Sequence, residues 1–136
     1  MSTSKKPVAT GKVKTAADPG GALCDALVAA LEEVKAVDTM VIDVRGKTPL
    51  TDYLLVASGN SDRHLATLRN AAIECARERG VRPLGVEGDR SDSEWVLIDL
   101  ADCVVHLMRP TTRAFYDLER LWSVGPAGSS LTETID

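Results

Sequence analysis

Apolar residues recur at helical spacing in two long segments of the chain. Leu23, Leu27 and Leu31 lie on one face of a helix predicted over 22–35. The same spacing predicts a second amphipathic helix over 62–79, with arginines and glutamates on its polar face. Both segments therefore have one apolar face to pack against a core.

A third helix is predicted to begin near Pro110 and to run through Trp122. Phe115, Leu118 and Trp122 form one stripe on it, a pattern typical of core packing. The residues expected to face outward are Tyr116, Glu119 and Arg120.

Short apolar runs bounded by turn residues predict five strands, over 40–44, 53–57, 81–86, 95–99 and 103–108. The second run is apolar throughout, which predicts burial on both faces. The unit from the second to the third strand predicts a parallel crossover, and the last two strands predict an antiparallel hairpin. The fold class is therefore mixed α/β, with a mixed sheet of about five strands and flanking helices.

The two ends of the chain lack this patterning. Residues 1–20 carry four lysines without apolar periodicity and are predicted to form a disordered basic arm. A single domain is predicted over 21–124, and 125–136 begins with Gly-Pro-Ala-Gly and predicts a flexible tail.

Charged residues are unevenly distributed along the chain of 136 residues, whose formal net charge is −4. The arm 1–20 has a net charge of +3, whereas residues 21–125 have −5. An acidic domain is a poor partner for naked nucleic acid and a better one for a basic protein. No apolar run is long enough to cross a membrane, and no secretory signal is present, so a cytoplasmic location is expected.

Motifs for catalysis and metal binding are weak. Cys103 and His106 are three apart on a predicted strand, so they point to opposite faces and cannot easily share a metal ion. The loop 58–61 follows a buried strand and precedes a helix, where α/β proteins often bind ligands, but it has no phosphate-binding glycine motif. It is interpreted as a helix cap, with a nucleotide binder as the alternative. No metal, cofactor or catalytic residue is expected.

The segment 87–102 is the most distinctive part of the sequence, because it holds six acidic residues and one arginine around Trp95. On the predicted strand, Trp95, Leu97 and Asp99 share one face. Two interpretations stay open at this point. Trp95 either covers the core or forms, within a ring of acids, a hot spot for a basic protein.

Six segments in register resemble the ribosomal silencing factor family, also called the Iojap family. The resemblance covers about 22–123, and its segments are Asp43–Lys47 with Thr51–Tyr53, Ser58–His64, Gly85–Gly88, Trp95–Leu100, Val104–His106 and Arg113–Trp122.

The resemblance implies a nucleotidyltransferase-like fold that lacks the catalytic acids, and a translation regulator that is not an enzyme. Such proteins bind the large ribosomal subunit through its fourteenth protein, which is basic, and block joining with the small subunit. A homodimer is implied off the ribosome, and the basic arm is a candidate contact for ribosomal RNA. A role in large-subunit assembly is the alternative that uses the same contact.

The resemblance also implies a partner-binding surface. Trp95 is carried over first, followed by the weaker candidates Glu87, Leu97, Asp99, His106, Asp52, Tyr116, Glu119 and Trp122.

Overall fold

The structure is a computed structural model that describes residues 18–88 and 94–123. Its elements, in chain order, are α1 (Pro19–Glu33), β1 (Val37–Asp43), β2 (Tyr53–Ser58), α2 (Asp62–Glu78), β3 (Gly85–Glu87), β4 (Trp95–Asp99), β5 (Cys103–Met108), α3 (Pro110–Tyr116) and α4 (Leu118–Ser123).

The five strands form one mixed sheet in the order β1-β2-β5-β4-β3. β2 and β5 are parallel, whereas β1 pairs with β2, β4 with β5 and β3 with β4 in antiparallel fashion. The predicted mixed sheet and the β4–β5 hairpin are therefore confirmed. β2 and β3 run in the same direction, as the predicted crossover requires, but β5 and β4 lie between them.

The main core lies between one face of the sheet and the helices α1 and α2. A smaller apolar cluster lies on the opposite face, where Ile42, Val56 and Met108 pack with Leu118 and Trp122 of α4. All six residues of β2 are buried, because helices cover both faces of the sheet at this strand. The predicted two-sided burial of this strand is confirmed.

Helix α1 begins at Pro19, three residues before its predicted start at residue 22. The Asp18 carboxylate accepts a hydrogen bond from the Gly20 amide at 3.1 Å and so caps the helix, while Pro19 occupies the first helical position. The predicted arm boundary at residue 20 is therefore too late for the helix. The rest of the predicted arm, and the predicted tail, lie outside the described residues.

Two strands also differ from their predicted bounds. β1 begins at Val37 instead of residue 40, and its pairing with β2 is irregular between Val37 and Met40. Asp38 has a φ of +51° there, a left-handed conformation that apolar patterning does not reveal. β3 is restricted to Gly85–Glu87 at one edge of the sheet, after Pro83 rather than around it.

The predicted last helix is two helices. Asp117 has φ 50° and ψ 52°, and its amide donates to the Arg113 carbonyl at 2.8 Å, which ends α3. The chain changes direction there, so residues on either side of Asp117 do not share one stripe. Leu118 packs on the smaller cluster as predicted, but Phe115 is 78% exposed, so its predicted place in the core is wrong.

Candidate docking surface on the open face of the sheet

Strand β4 has one buried face and one partly exposed face. Val96 and Ile98, which point toward α1 and α2, are 3% and 0% exposed. Trp95, Leu97 and Asp99 alternate with them and are only partly buried on the other side. This half of the second face is therefore only partly covered, and Trp95 also packs against the edge of the smaller apolar cluster. The prediction that Trp95, Leu97 and Asp99 share a partly solvated face is confirmed.

The register of the sheet brings five of the predicted site residues together. Glu87 is paired with Leu97, and Leu97 is paired with His106, so these three form one row across β3, β4 and β5. Trp95 and Asp99 lie on either side of Leu97 along β4. Positions far apart in the sequence thus form one continuous patch.

A hydrogen bond fixes the Trp95 ring against the sheet. The indole Nε1–H donates to Nδ1 of His106 at 3.0 Å, and the two ring centroids are 5.8 Å apart. His106 is 8% exposed, and this burial lowers its pKa to about 4. The imidazole is therefore neutral at neutral pH, with Nδ1 free to accept the indole proton. This hydrogen bond fixes the orientation of the Trp95 ring on the sheet.

Two further aromatic rings extend the patch. Tyr116 of α3 lies with its ring centroid 4.6 Å from that of Trp95, and Phe115 meets Tyr116 edge-on at 4.9 Å. Phe115 is 78% exposed and Tyr116 is 51% exposed. Sequence reasoning missed Phe115. Asp117 was the available signal, because aspartate tolerates the left-handed conformation that ends a helix.

We call this patch the open-face surface, and its members are Glu87, Trp95, Leu97, Asp99, Phe115 and Tyr116.

The open-face surface is acidic at its margin. Glu87 and Glu94 are exposed and Asp99 is partly exposed, and none of the three forms an ion pair with a residue in 18–88 or 94–123. Asp89, Arg90 and Asp92 of the acidic segment lie outside the described residues. Asp99 accepts a hydrogen bond from the Ala101 amide and Glu94 from the Thr112 hydroxyl, both at 2.9 Å. Carboxylates that form no ion pair beside partly exposed aromatic rings are complementary to a basic partner.

Glu119 is turned toward the sheet and is only partly exposed, instead of facing outward as predicted. Its carboxylate binds the buried Arg113 guanidinium, with Nε at 2.8 Å and Nη2 at 2.7 Å. Arg113 also donates to the Ser58 hydroxyl at 2.9 Å and to the Val37 carbonyl at 3.3 Å. This guanidinium joins α3 and α4 to β1 and β2, a structural role that sequence reasoning did not assign.

Asp52 lies at the opposite end of the sheet from Trp95. It precedes Tyr53, which is paired with Cys103 at one end of the sheet, whereas Trp95 is paired with Met108 at the other end. The structure therefore separates this predicted residue from Trp95. Trp122, the last of the weaker candidates, packs on the smaller cluster beside β1.

The loop at Gly59 is built as a helix start. The Ser61 hydroxyl accepts from the His64 amide at 3.0 Å and caps α2. A Cβ on Gly59 would lie 2.8 Å from Cδ2 of Leu65, because the loop packs closely on the first turn of the helix. The helix-cap interpretation is the one supported by these contacts.

The described residues contain no group of three or more His, Cys, Asp or Glu side chains placed to hold a metal ion. Cys103 faces the main core and His106 faces Trp95, as their spacing predicted. No helix in the described ranges is long and apolar enough to cross a membrane.

Comparison with known proteins identifies relatives over most of the chain. The family model described as "Ribosomal silencing factor during starvation" matches residues 17–135. A ribosomal silencing factor of Chromobacterium violaceum is 41% identical over 95 residues, covering 70% of this chain and 77% of that protein. One from Haemophilus influenzae is 32% identical over 102 residues, covering 75% of this chain and 99% of that protein.

A mouse protein named for mitochondrial assembly of the ribosomal large subunit is also similar, at 35% identity over 74% of this chain and 45% of its own length.

Solved structures support the same assignment. The crystal structure of a Chromobacterium violaceum protein matches with a TM-score of 0.71 and 37% identity, covering 78% of this chain and 93% of that one. A Bacillus halodurans structure matches with a TM-score of 0.66 and 33% identity, covering 74% and 93%. Because the family model matches most of the length of this chain, the chain belongs to the ribosomal silencing factor family.

Proposed function

We propose that this protein binds the large ribosomal subunit through the subunit's fourteenth protein and blocks joining with the small subunit. The observation that carries the proposal is the open-face surface, where three neighbouring aromatic rings lie beside carboxylates that form no ion pair with a described residue. The family membership supplies the ribosome as the setting, since the relatives are named for ribosomal silencing and, in mouse, for large-subunit assembly.

The chemistry of the surface favours a basic protein as the partner. Tryptophan and tyrosine are the side chains most often found at interface hot spots, and a typical stable interface buries about 800 Å² on each partner. Glu87 and Asp99 at the margin would attract lysine and arginine side chains and speed association. Binding would therefore weaken as salt concentration rises.

The proposed mechanism is steric competition. No bond is made or broken, so the surface needs rigid shape and complementary charge rather than a general acid or base. Rigidity comes from His106, which fixes the Trp95 ring, and from Tyr116, which packs against that ring. We place this action in the cytoplasm, and we propose a homodimer as the form of the protein off the ribosome.

A second candidate function is large-subunit assembly. The name of the mouse relative favours it, and an assembly factor bound to the same ribosomal surface would use the same residues. The two functions differ in their effect in cells. Loss of an assembly factor leaves precursors of the large subunit, whereas loss of a silencing factor leaves mature subunits and unrepressed translation.

Co-sedimentation with purified large subunits tests the proposed contact. Trp95→Ala is expected to weaken binding by about 2 kcal/mol, roughly thirtyfold. Phe115→Ala is expected to weaken binding while leaving the fold intact, because the ring is 78% exposed. Thr67→Ala, an exposed substitution on α2, is the control.

The variants are first compared by circular dichroism so that only folded protein is tested. If folded Trp95→Ala and Phe115→Ala proteins sediment with large subunits as well as the Thr67→Ala control does, the open-face surface is not the contact. If the fourteenth protein alone fails to bind the wild-type chain, the partner is wrong even if the surface is right.

A further inference from the structure

A second surface lies at the corner where α1 begins. A cleft of about 460 Å³ opens between the start of α1, the turn after α2 and the turn joining β4 to β5. Leu23 and Leu100 at its floor belong to the main core on the α1 and α2 side of the sheet. The cleft is therefore separate from the open-face surface.

Apolar side chains at this corner remain accessible to a partner. Pro19 is exposed and Val81 is partly exposed, and both line the cleft. Leu84 continues the segment after Val81, and its amide donates to the Asp99 carbonyl at 2.7 Å, one residue before Leu100. The Leu84 side chain is 72% exposed. A partner that covered these side chains would gain free energy from burying apolar surface.

Two exposed arginines, Arg79 and Arg82, line the same cleft. Neither guanidinium forms a hydrogen bond or an ion pair with any residue that the structure describes. By contrast, the arginines at positions 45, 77, 109 and 113 each bind a carboxylate. The cleft thus combines two available guanidinium groups with an apolar lining, a combination that suits an anionic partner carrying apolar groups.

Asp102 narrows the choice of that partner. Its carboxylate is exposed in the cleft and pairs with neither arginine. This charge repels a continuous phosphate backbone, whereas a peptide can donate a main-chain N–H to it and place carboxylates on the arginines. The residues that line the cleft include no aromatic ring on which a nucleic-acid base could stack. The chemistry of the cleft therefore favours a peptide over a nucleic acid.

We propose that this cleft binds an acidic segment of another protein, with its carboxylates on the two arginines and an apolar side chain against Val81 and Leu84. Guanidinium and carboxylate groups form parallel N–H···O bonds that are stronger than bonds between neutral groups. Residues 21–125 as a whole have a net charge of −5, so electrostatic attraction directs an acidic segment to this corner rather than to the remaining surface.

The inference goes beyond the proposed function and does not depend on it. The open-face surface is proposed to take a basic protein, whereas this corner takes an acidic one. A chain bound to the large subunit would thus be able to hold a second protein at the same time. The test uses peptides without any ribosomal component, so either proposal can fail while the other stands.

The experiment measures binding of the full chain to a fluorescein-labelled peptide by fluorescence anisotropy in 50 mM KCl at pH 7. The probe is Gly-Ser-Asp-Leu-Glu-Glu-Leu-Asp-Ser-Gly. A neutral analogue has Asn and Gln in place of Asp and Glu, and a polar analogue has serine in place of both leucines. The double variant Arg79→Gln/Arg82→Gln is compared with Arg63→Gln/Arg120→Gln, which is matched in charge and changes exposed side chains on α2 and α4.

The Arg79→Gln/Arg82→Gln protein is expected to bind the acidic probe at least about tenfold more weakly than the matched control, because two charge-assisted contacts are lost. Wild type should bind the neutral analogue about tenfold more weakly than the probe, and the polar analogue roughly fivefold more weakly. Leu84→Ser should weaken binding of the probe roughly threefold. Trp95→Ala should bind it like wild type.

Nuclear magnetic resonance then locates the bound peptide. In proton–nitrogen correlation spectra, the amide signals of Gly80 and Ala101, which line the cleft, should shift as the probe is added. The amide signal of Leu97, on the open-face surface, should stay in place.

Four results would overturn the proposal. The first is wild-type protein that does not bind the acidic probe at 1 mM. The second is equal affinity of the Arg79→Gln/Arg82→Gln protein and its matched control. The third is a 10-nucleotide oligouridylate that binds as tightly as the probe with the same dependence on the arginines, which would make this a phosphate site. The fourth is at least fivefold tighter probe binding by Glu133→Gln/Asp136→Asn than by wild type, which would make the chain's own acidic tail the occupant.

Discussion

Acid titration of His106 should lower the stability of this protein in a defined pH window. Burial holds the folded-state pKa of His106 at about 4, below its ordinary value of 6.5. Between these values the unfolded chain binds a proton that the folded chain does not, so the free energy of unfolding rises with pH. The full contribution to the free energy of unfolding is about 3 kcal/mol and is present above pH 6.5. It is lost as the pH falls through the window, and roughly 2 kcal/mol has been lost by pH 5.

The comparison that isolates this effect is wild type against His106→Asn. The asparagine Oδ1 can take the place of Nδ1 as acceptor for the Trp95 indole, but it does not titrate. Urea unfolding followed by far-ultraviolet circular dichroism at pH 4.5, 5.0, 5.5, 6.5 and 7.5 gives the free energy of unfolding of each protein. Every carboxylate is common to both, so the difference between the two curves reports His106.

Wild type is expected to lose about 2 kcal/mol more than His106→Asn between pH 7.5 and pH 5. Parallel curves over this range would refute the assignment of His106 as a buried neutral acceptor. Proton NMR gives an independent reading, because the His106 ring should show no titration above pH 5. A midpoint near pH 6.5 for this ring would contradict the reasoning in the same way.

Three other substitutions test how the rest of the structure supports the surface. Arg113→Met should lower the free energy of unfolding by about 3 kcal/mol in urea, because it leaves Glu119 unpaired between α4 and the sheet, and a loss under 1 kcal/mol would contradict this role. Gly88→Ala should lower the free energy of unfolding by roughly 2 kcal/mol or more in thermal unfolding, since Gly88 has φ +72° and a Cβ there would clash with the Trp95 carbonyl oxygen. Unchanged stability would show that the turn can adjust to a Cβ at no cost. Ser61→Ala should cost about 1 kcal/mol through loss of the α2 cap, with Ser61→Asp as the variant that retains it.

The regular elements were predictable because their periodicity is local. β4 and β5 have the predicted bounds, since alternating apolar residues and flanking turn residues define both ends. The bounds that were wrong depend on single residues with unusual roles. Asp18 and Pro19 resemble linker residues in the sequence, where their capping contact is not visible. Asp117 tolerates a left-handed conformation but does not require one, so it is only a weak signal for the end of a helix.

The open-face surface was predictable in part for a similar reason. Alternation along β4 places Trp95, Leu97 and Asp99 on one face whatever the rest of the fold does. Which half of that face stays uncovered depends on where α3 and α4 pack. The Arg113 contacts link these helices to β1 and β2, and Leu118 and Trp122 pack α4 on the smaller cluster. The exposure of Phe115 follows from the same arrangement, so helical periodicity could not reveal it.

Ribosomal subunit reassociation followed by light scattering tests the central proposal most directly. Purified large subunits are preincubated with this protein and then mixed with small subunits in Mg²⁺, alongside the Trp95→Ala and Thr67→Ala proteins. Steric blocking by the open-face surface predicts a dose-dependent loss of joined ribosomes with wild type and Thr67→Ala, and a much weaker loss with Trp95→Ala. Undiminished joining at saturating wild-type protein would contradict it.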